Sequence, residues 1–122
     1  MTGCWRGIRG ATTVVENDAD MILAATRELL QAMIAANGVD EKDVASVLFT
    51  VTRDLDAAYP AVAARQLGWT STALMCVQEM AVRDSLPRCI RVLVHWNTEM
   101  ERSEIHHIYL HEACHLRPDW AS

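Results

Sequence analysis

The stretch Met75–Arg91, MCVQEMAVRDSLPRCIR, with Val92, Leu93 and Val94 behind it, decides the reading of this chain. It reads as the ends of two strands joined by a connection containing Ser85-Leu86-Pro87. Side chains alternate along a strand, so Cys89, Arg91, Leu93 and His95 share one face of the second. An arginine on a face with Cys and Leu needs a partner, because a buried charge is costly unless something pairs with it. Either a carboxylate of the protein or an anionic ligand must answer it. Cys76 and Glu79, at the end of the first strand, are its expected neighbours.

Working outward, composition narrows the classes. Of the 122 residues, 51% are apolar and 22% charged, the balance of one globular domain, 1–122, rather than of a disordered chain. The net charge of −5 argues against a nucleic-acid or anionic-membrane surface as partner. No apolar run approaches the roughly 18 residues that a membrane span requires. Cys4, Cys76, Cys89 and Cys114 show no close-paired metal spacing and no signal peptide precedes them, which predicts a reduced, cytoplasmic protein with free thiols.

Cys4–Val15, CWRGIRGATTVV, is strand-like. Arg9 lies on the face of Trp5, Gly7 and Ala11, between two glycines that allow another group to approach closely. Asn17-Asp18 can cap a helix running to about Ala36, with Ile22, Ala25, Leu29, Met33 and Ala36 as its buried stripe and Asn37-Gly38 as its stop. Val44–Thr52 is an apolar strand suited to a sheet interior. Arg53–Ala58 is loop, and Pro60 opens a short helix closed by Gly68. Trp69–Met80 and Arg88–Asn97 follow as strands, Glu101–Glu104 as a helical turn, and Ile105–Leu110 as a fifth strand. The order β-α-β-α-β-β-β predicts an α+β domain, one mixed sheet with two main helices on one face. The other face is left bare, which predicts oligomerisation and ligand sites between subunits.

His107, His111 and His115 are spaced i, i+4, i+8, with His106 and Cys114 beside them. On a helix three such residues could hold zinc. Ile108, Tyr109 and Leu110 favour a strand instead, where four residues of about 3.3 Å rise would separate the ligands by more than about 10 Å. The reading is of solvent-facing or subunit-contact histidines, with no metal site.

Five runs carry a resemblance: RGIRGATT near the N-terminus, DLDAAYPAVAAR, CVQEM, CIRV and IYLHEACHLRPD. Taken in order, they resemble the trimeric α+β class of monofunctional chorismate mutase, not the all-helical class. The match runs collinearly from Trp5 to Trp120, with about one residue of gapping near Gly68-Trp69. The resemblance implies a cytoplasmic homotrimer with sheets packed together and active sites at subunit interfaces. It would convert chorismate to prephenate in phenylalanine and tyrosine biosynthesis. That reaction is an intramolecular [3,3] rearrangement in which an ether C–O bond breaks as a C–C bond forms. It needs no nucleophile, metal or cofactor.

Residue by residue, the resemblance makes Arg91 the donor to the ether oxygen and to a substrate carboxylate. Glu79 would accept from the ring hydroxyl beside the electron-poor ring, and Cys76 would act there as a neutral donor. Arg9 would bind a carboxylate from the neighbouring subunit's strand, with room left by its glycines, and Tyr109 would add a hydrogen bond. Tyr59, Ala61, Leu74 and Met75 match lining positions, Arg65 and Arg117 peripheral arginines, and Leu116 a lid contact. Three positions depart from the pattern: Val62 stands where some members carry a lysine, Tyr59 for a more usual Phe, and Met75 for a smaller polar residue. Two other classes remain open at this point: a dicarboxylate-binding trimer without turnover, and a zinc-binding protein.

Overall fold

A computed structural model describes residues 3–119; Trp120 and the two residues after it, the end of the expected match, lie outside the described residues. Five strands form one mixed sheet in the order β3-β2-β4-β1-β5. They are β1 (Cys4–Thr13), β2 (Val44–Val51), β3 (Ala73–Gln78), β4 (Cys89–Thr98) and β5 (Ile108–Tyr109). Helices α1 (Ala19–Asn37) and α2 (Ala61–Gln66) complete the expected α+β architecture. β4 runs antiparallel to both β1 and β2, while β3 joins β2, and β5 joins β1, in parallel. The apolar β2 is interior, as its composition predicts.

The core forms on one face. Ile8, Val47, Phe49, Val92, Val94 and Trp96 pack with Leu29, Leu30 and Met33 of α1 and with Ala61 and Ala64 of α2. Gly10 is what lets α1 approach: a Cβ there would lie 2.5 Å from Met33 Sδ and 3.1 Å from Leu29 Cδ1. This corrects one expectation. Of the two glycines near Arg9, Gly10 points to the opposite face and serves helix packing, and only Gly7 shares the arginine's face.

The α1 stripe also shifts. Thr26, Leu30 and Asn37 are buried, whereas Ala25 is half-buried and Ala36 exposed. Thr26 is tolerated inside because its hydroxyl donates to Ile22 O at 2.7 Å. Asp18 caps the helix, accepting from Met21 N–H, and Gly38 ends it at φ 71°. Asn17, expected as part of the cap, instead ties down the loop before α2: its Oδ1 accepts from the N–H groups of Asp56 and Ala57.

Two expected strands shorten. Residues 69–72 leave the sheet, because Trp69 is buried against the core and its N–H donates to Ala64 O. The fifth strand loses residues 105–107, because the main chain of His106 is taken by Asn37, which accepts from its N–H at 2.8 Å and donates to its carbonyl at 2.9 Å. Among the described residues no helix is long and apolar enough to cross a membrane.

Candidate active site

The strand registers place the candidate residues in rows across the uncovered face. Thr50 of β2 pairs with Arg91 of β4, Arg91 with Ala11 of β1, and Ala11 with Tyr109 of β5. One step along, Leu48 pairs with Leu93, and Leu93 with Arg9. Arg91, Tyr109 and Arg9 therefore stand on one side of the sheet although 100 positions of chain lie between the first and last of them, 9 to 109. The period-2 rule for β4 holds through its length: Ile90, Val92, Val94 and Trp96 go to the core, and Arg91, Leu93 and His95 to the open face.

The start of β4 is fixed by the loop opposite it. Asp54 accepts the Arg88 N–H through both carboxylate oxygens at 3.0 and 3.1 Å, and Thr52 Oγ1 accepts the Cys89 N–H at 3.0 Å. Arg88 takes a left-handed conformation, φ 47°, to enter the strand there.

Glu79 follows β3 and its N–H donates to Val51 O at 2.8 Å, which carries its side chain over the open face. Its Oε1 accepts from Thr50 Oγ1 at 2.7 Å and stands 3.4 Å from Arg91 Nε. The expected pairing of Glu79 with Arg91 is present, with both side chains half-buried. At 3.4 Å the contact is an ion pair and not a hydrogen bond: Arg91 Nε is enclosed and meets no acceptor at bonding geometry among the described residues. Thr50, which orients the carboxylate, had no local signal in the sequence.

Tyr109 is buried among Ala11, Cys89 and Ala113, with Leu116 packed against the same cluster. Burial pushes its phenol above the usual tyrosine range, against the pull of Arg9, Arg117 and Arg91. The charges of three guanidinium groups thus act on one hydroxyl, a set of charges suited to a multiply charged anion. Arg117 makes a two-point contact with Asp119, Nε to Oδ1 at 3.1 Å and Nη2 to Oδ2 at 2.8 Å. That contact raises the guanidinium pKa and lowers that of the carboxyl.

Cys76 is not part of this cluster. Its partner in β2 is Phe49, a core residue, so the thiol lies on the helix side of the sheet. Residues 76 and 79 differ in parity, and the alternation that placed Arg91 also separates these two. Cys76 instead lines a cleft of about 480 Å³ with Tyr59, Pro60, Leu55 and Gln78. Burial pushes its thiol up, opposed by a backbone hydrogen bond from Ala61 and by the charge of Arg65. Ala61 and Leu74 pack into the core beside this cleft, and Arg65 is exposed in the last turn of α2. Tyr59 and Met75 are strongly exposed, at 71% and 61%. The cysteine beside Arg91 is Cys89, whose thiol is pushed up by burial and held down by that arginine.

The expected residues therefore fall into two groups. Arg9, Glu79, Arg91, Tyr109, Leu116 and Arg117 lie near one another on the open face, and Tyr59, Ala61, Arg65, Leu74 and Cys76 at the α2–β3 edge, with Met75 on the open face of β3. The histidines disperse. His111 Nε2 sits 2.9 Å from Glu28 Oε1, His115 Nε2 sits 3.6 Å from Glu112 Oε2, and His107 Nδ1 accepts from the Arg9 N–H. Among the described residues no three His, Cys, Asp or Glu side chains are placed to hold a metal ion.

The family model for chorismate mutase type I matches residues 5–120. The chain is 51% identical over 118 residues to chorismate mutase AroH of Thermus thermophilus, covering 96% of this chain and 97% of that one. It is 43% identical over 115 residues to chorismate mutase AroH of Bacillus subtilis, covering 93% and 91%. A solved chorismate mutase from Clostridium thermocellum superposes with a TM-score of 0.87 at 56% identity, covering 88% of this chain and 96% of that one. Matched over nearly its whole length, this chain belongs to the chorismate mutase type I family.

Proposed function

We infer that this chain, one domain and cytoplasmic, converts chorismate to prephenate at sites assembled between copies of itself in a homotrimer. The rearrangement moves no proton and forms no bond to the enzyme, so catalysis consists of holding a folded dianion and stabilising its transition state. Arg91 carries the second task. Negative charge develops on the ether oxygen only as the C–O bond breaks, so a donor aimed there raises the rate and not merely the affinity. The enclosed Nε–H of Arg91, with its carboxylate neighbour at 3.4 Å and out of bonding geometry, is the observation that carries this reading.

Glu79, held by Thr50, accepts from the ring hydroxyl and sets negative charge against the electron-poor ring. Arg9 and Tyr109 bind a carboxylate, while Arg117 exchanges its Asp119 partner for the incoming dianion and Leu116 covers the site. The α2–β3 edge of a second copy supplies the opposite wall, with Tyr59, Ala61, Leu74 and Met75 holding the reactive conformer. Cys76 of that copy is a neutral donor, in keeping with its raised pKa, and Arg65 steers the substrate. The division of these residues into two groups on different surfaces, with Tyr59 and Met75 exposed beside one of them, supports assembly from two copies.

The test is chorismate consumption by the purified protein in EDTA, followed by ultraviolet absorbance with prephenate confirmed chromatographically. Arg91→Ala is expected to lower kcat by about a hundredfold to a thousandfold, the effect of one preorganised donor. Absence of turnover by folded wild-type protein contradicts the proposal.

A further inference from the structure

The N–H of Arg9 points away from β4 toward the edge where β5 begins. Parallel pairing between β1 and β5 covers only Gly10 with Ile108 and Ala11 with Tyr109. A further rung would need the main chain near residue 106 beside Arg9, and that main chain is held elsewhere. Asn37, at the end of α1, takes both polar groups of His106 and anchors its own amide on Met33 O at 3.0 Å. The missing rung is supplied by a side chain: His107 Nδ1 accepts the Arg9 N–H at 3.0 Å.

We propose that His107 is a positioning residue for substrate binding, its imidazole standing in for a backbone carbonyl so that β1 stays in register where Arg9 enters the site. The proposal rests on the reading of Arg9 as a carboxylate ligand. It fixes the ring's chemistry. Nδ1 must keep its lone pair, so the working form is neutral with the proton on Nε2. A protonated ring would set N–H against N–H and lose the rung. Burial comes first among the influences that favour the neutral form, followed by Arg9 of β1, Arg117 of the C-terminal segment and the adjacent His106; Arg102 lines a groove together with Arg9 and His107. The rung is accordingly kept through neutral pH and is lost only on acidification below the ordinary histidine range.

A hydrogen bond that places a binding group without touching the reacting atoms affects ground state and transition state alike. Its loss therefore shows in KM and leaves kcat in place. Asn is the discriminating replacement, since its side-chain oxygen falls near the position of Nδ1 and does not titrate.

The experiment compares wild type, His107→Ala, His107→Asn and Arg9→Ala in steady-state chorismate conversion between pH 5 and 8, with hydrogen exchange of the Arg9 amide followed by NMR. Exchange at Val92 and Val94 in the core reports that each variant is folded. His107→Ala is expected to raise KM about tenfold with kcat nearly unchanged, and to speed Arg9 amide exchange. His107→Asn is expected to keep KM near wild type and to remove the acid-side rise in KM that wild type shows. Unchanged Arg9 exchange in His107→Ala overturns the proposal, as does an equal rise in KM for Ala and Asn. If Arg9→Ala leaves KM unchanged while His107→Ala still speeds Arg9 exchange, the contact stands and the assignment of Arg9 fails, which overturns the proposed role in binding.

Discussion

The two faces of the sheet are built from the same strands and have opposite chemistry. In β4 the residues Ile90, Val92, Val94 and Trp96 are sealed under two helices, and every one is nearly inaccessible. Their alternates Arg91, Leu93 and His95 look out from the other side, level with exposed Trp5, Met75 and Val77. The covered face is finished within one chain. The open face is not: it joins charged groups to apolar surface that water would otherwise wet, the composition of a surface that receives ligand and a second copy. Stability resides on the first face, and the charged groups to which the rate is assigned, Arg91 and Glu79, stand on the second.

Substitutions chosen face by face test that division. Phe49→Ala, deep in the covered face, is expected to cost about 3–5 kcal/mol of stability, since it removes a large buried ring and leaves a cavity. Denaturant unfolding measures it, and a cost under about 1 kcal/mol would break the comparison. Arg91→Ala is expected to leave the unfolding midpoint almost unchanged while removing most of the rate, because its side chain is half-exposed and its ion pair is partly solvated. Arg91→Lys keeps the charge but loses the planar fork, and most of the rate should go with it. A large loss of stability in either variant would return Arg91 to a structural role.

The smallest expected effect concerns Cys76. Its thiol is pushed up by burial, so the nucleophilic thiolate is scarce at pH 8 and appears only as pH rises above the ordinary thiol range. Alkylation by iodoacetamide at pH 8 should lag behind that of a small-molecule thiol. Alkylation as fast as the free thiol would contradict a neutral donor.

Much of this was legible in the sequence, and the part that was not has a common cause. Alternation put Arg91 on one face with Leu93 and His95, 3/4 spacing found Ile22, Leu29 and Met33, and Asn37-Gly38 marked the helix stop. Those are local patterns. The same alternation should have separated Cys76 from Glu79, whose positions differ in parity; reading them as neighbours weighed closeness in sequence above direction. Thr50 on Glu79, Asn17 on the Asp56–Ala57 loop, Asn37 on His106 and His107 on Arg9 are side-chain contacts across 29, 39, 69 and 98 positions. Nothing local marks them. The short fifth strand belongs with these, since a strand pattern over residues 105–110 could not show that an asparagine at the end of α1 would claim the backbone of His106.

The most direct test of the account is complementation between two inactive variants. Arg91→Ala removes the open-face group, and Tyr59→Asp sets a carboxylate against the dianion at the α2–β3 edge. Each is expected to be nearly inactive alone. Unfolded together in equal amounts and refolded, random mixing in a trimer should give about a quarter of the sites one intact group from each partner, and activity should return to about that fraction of wild type. If each site lies within a single chain, the mixture stays as inactive as its components, and that result would contradict a site shared between subunits.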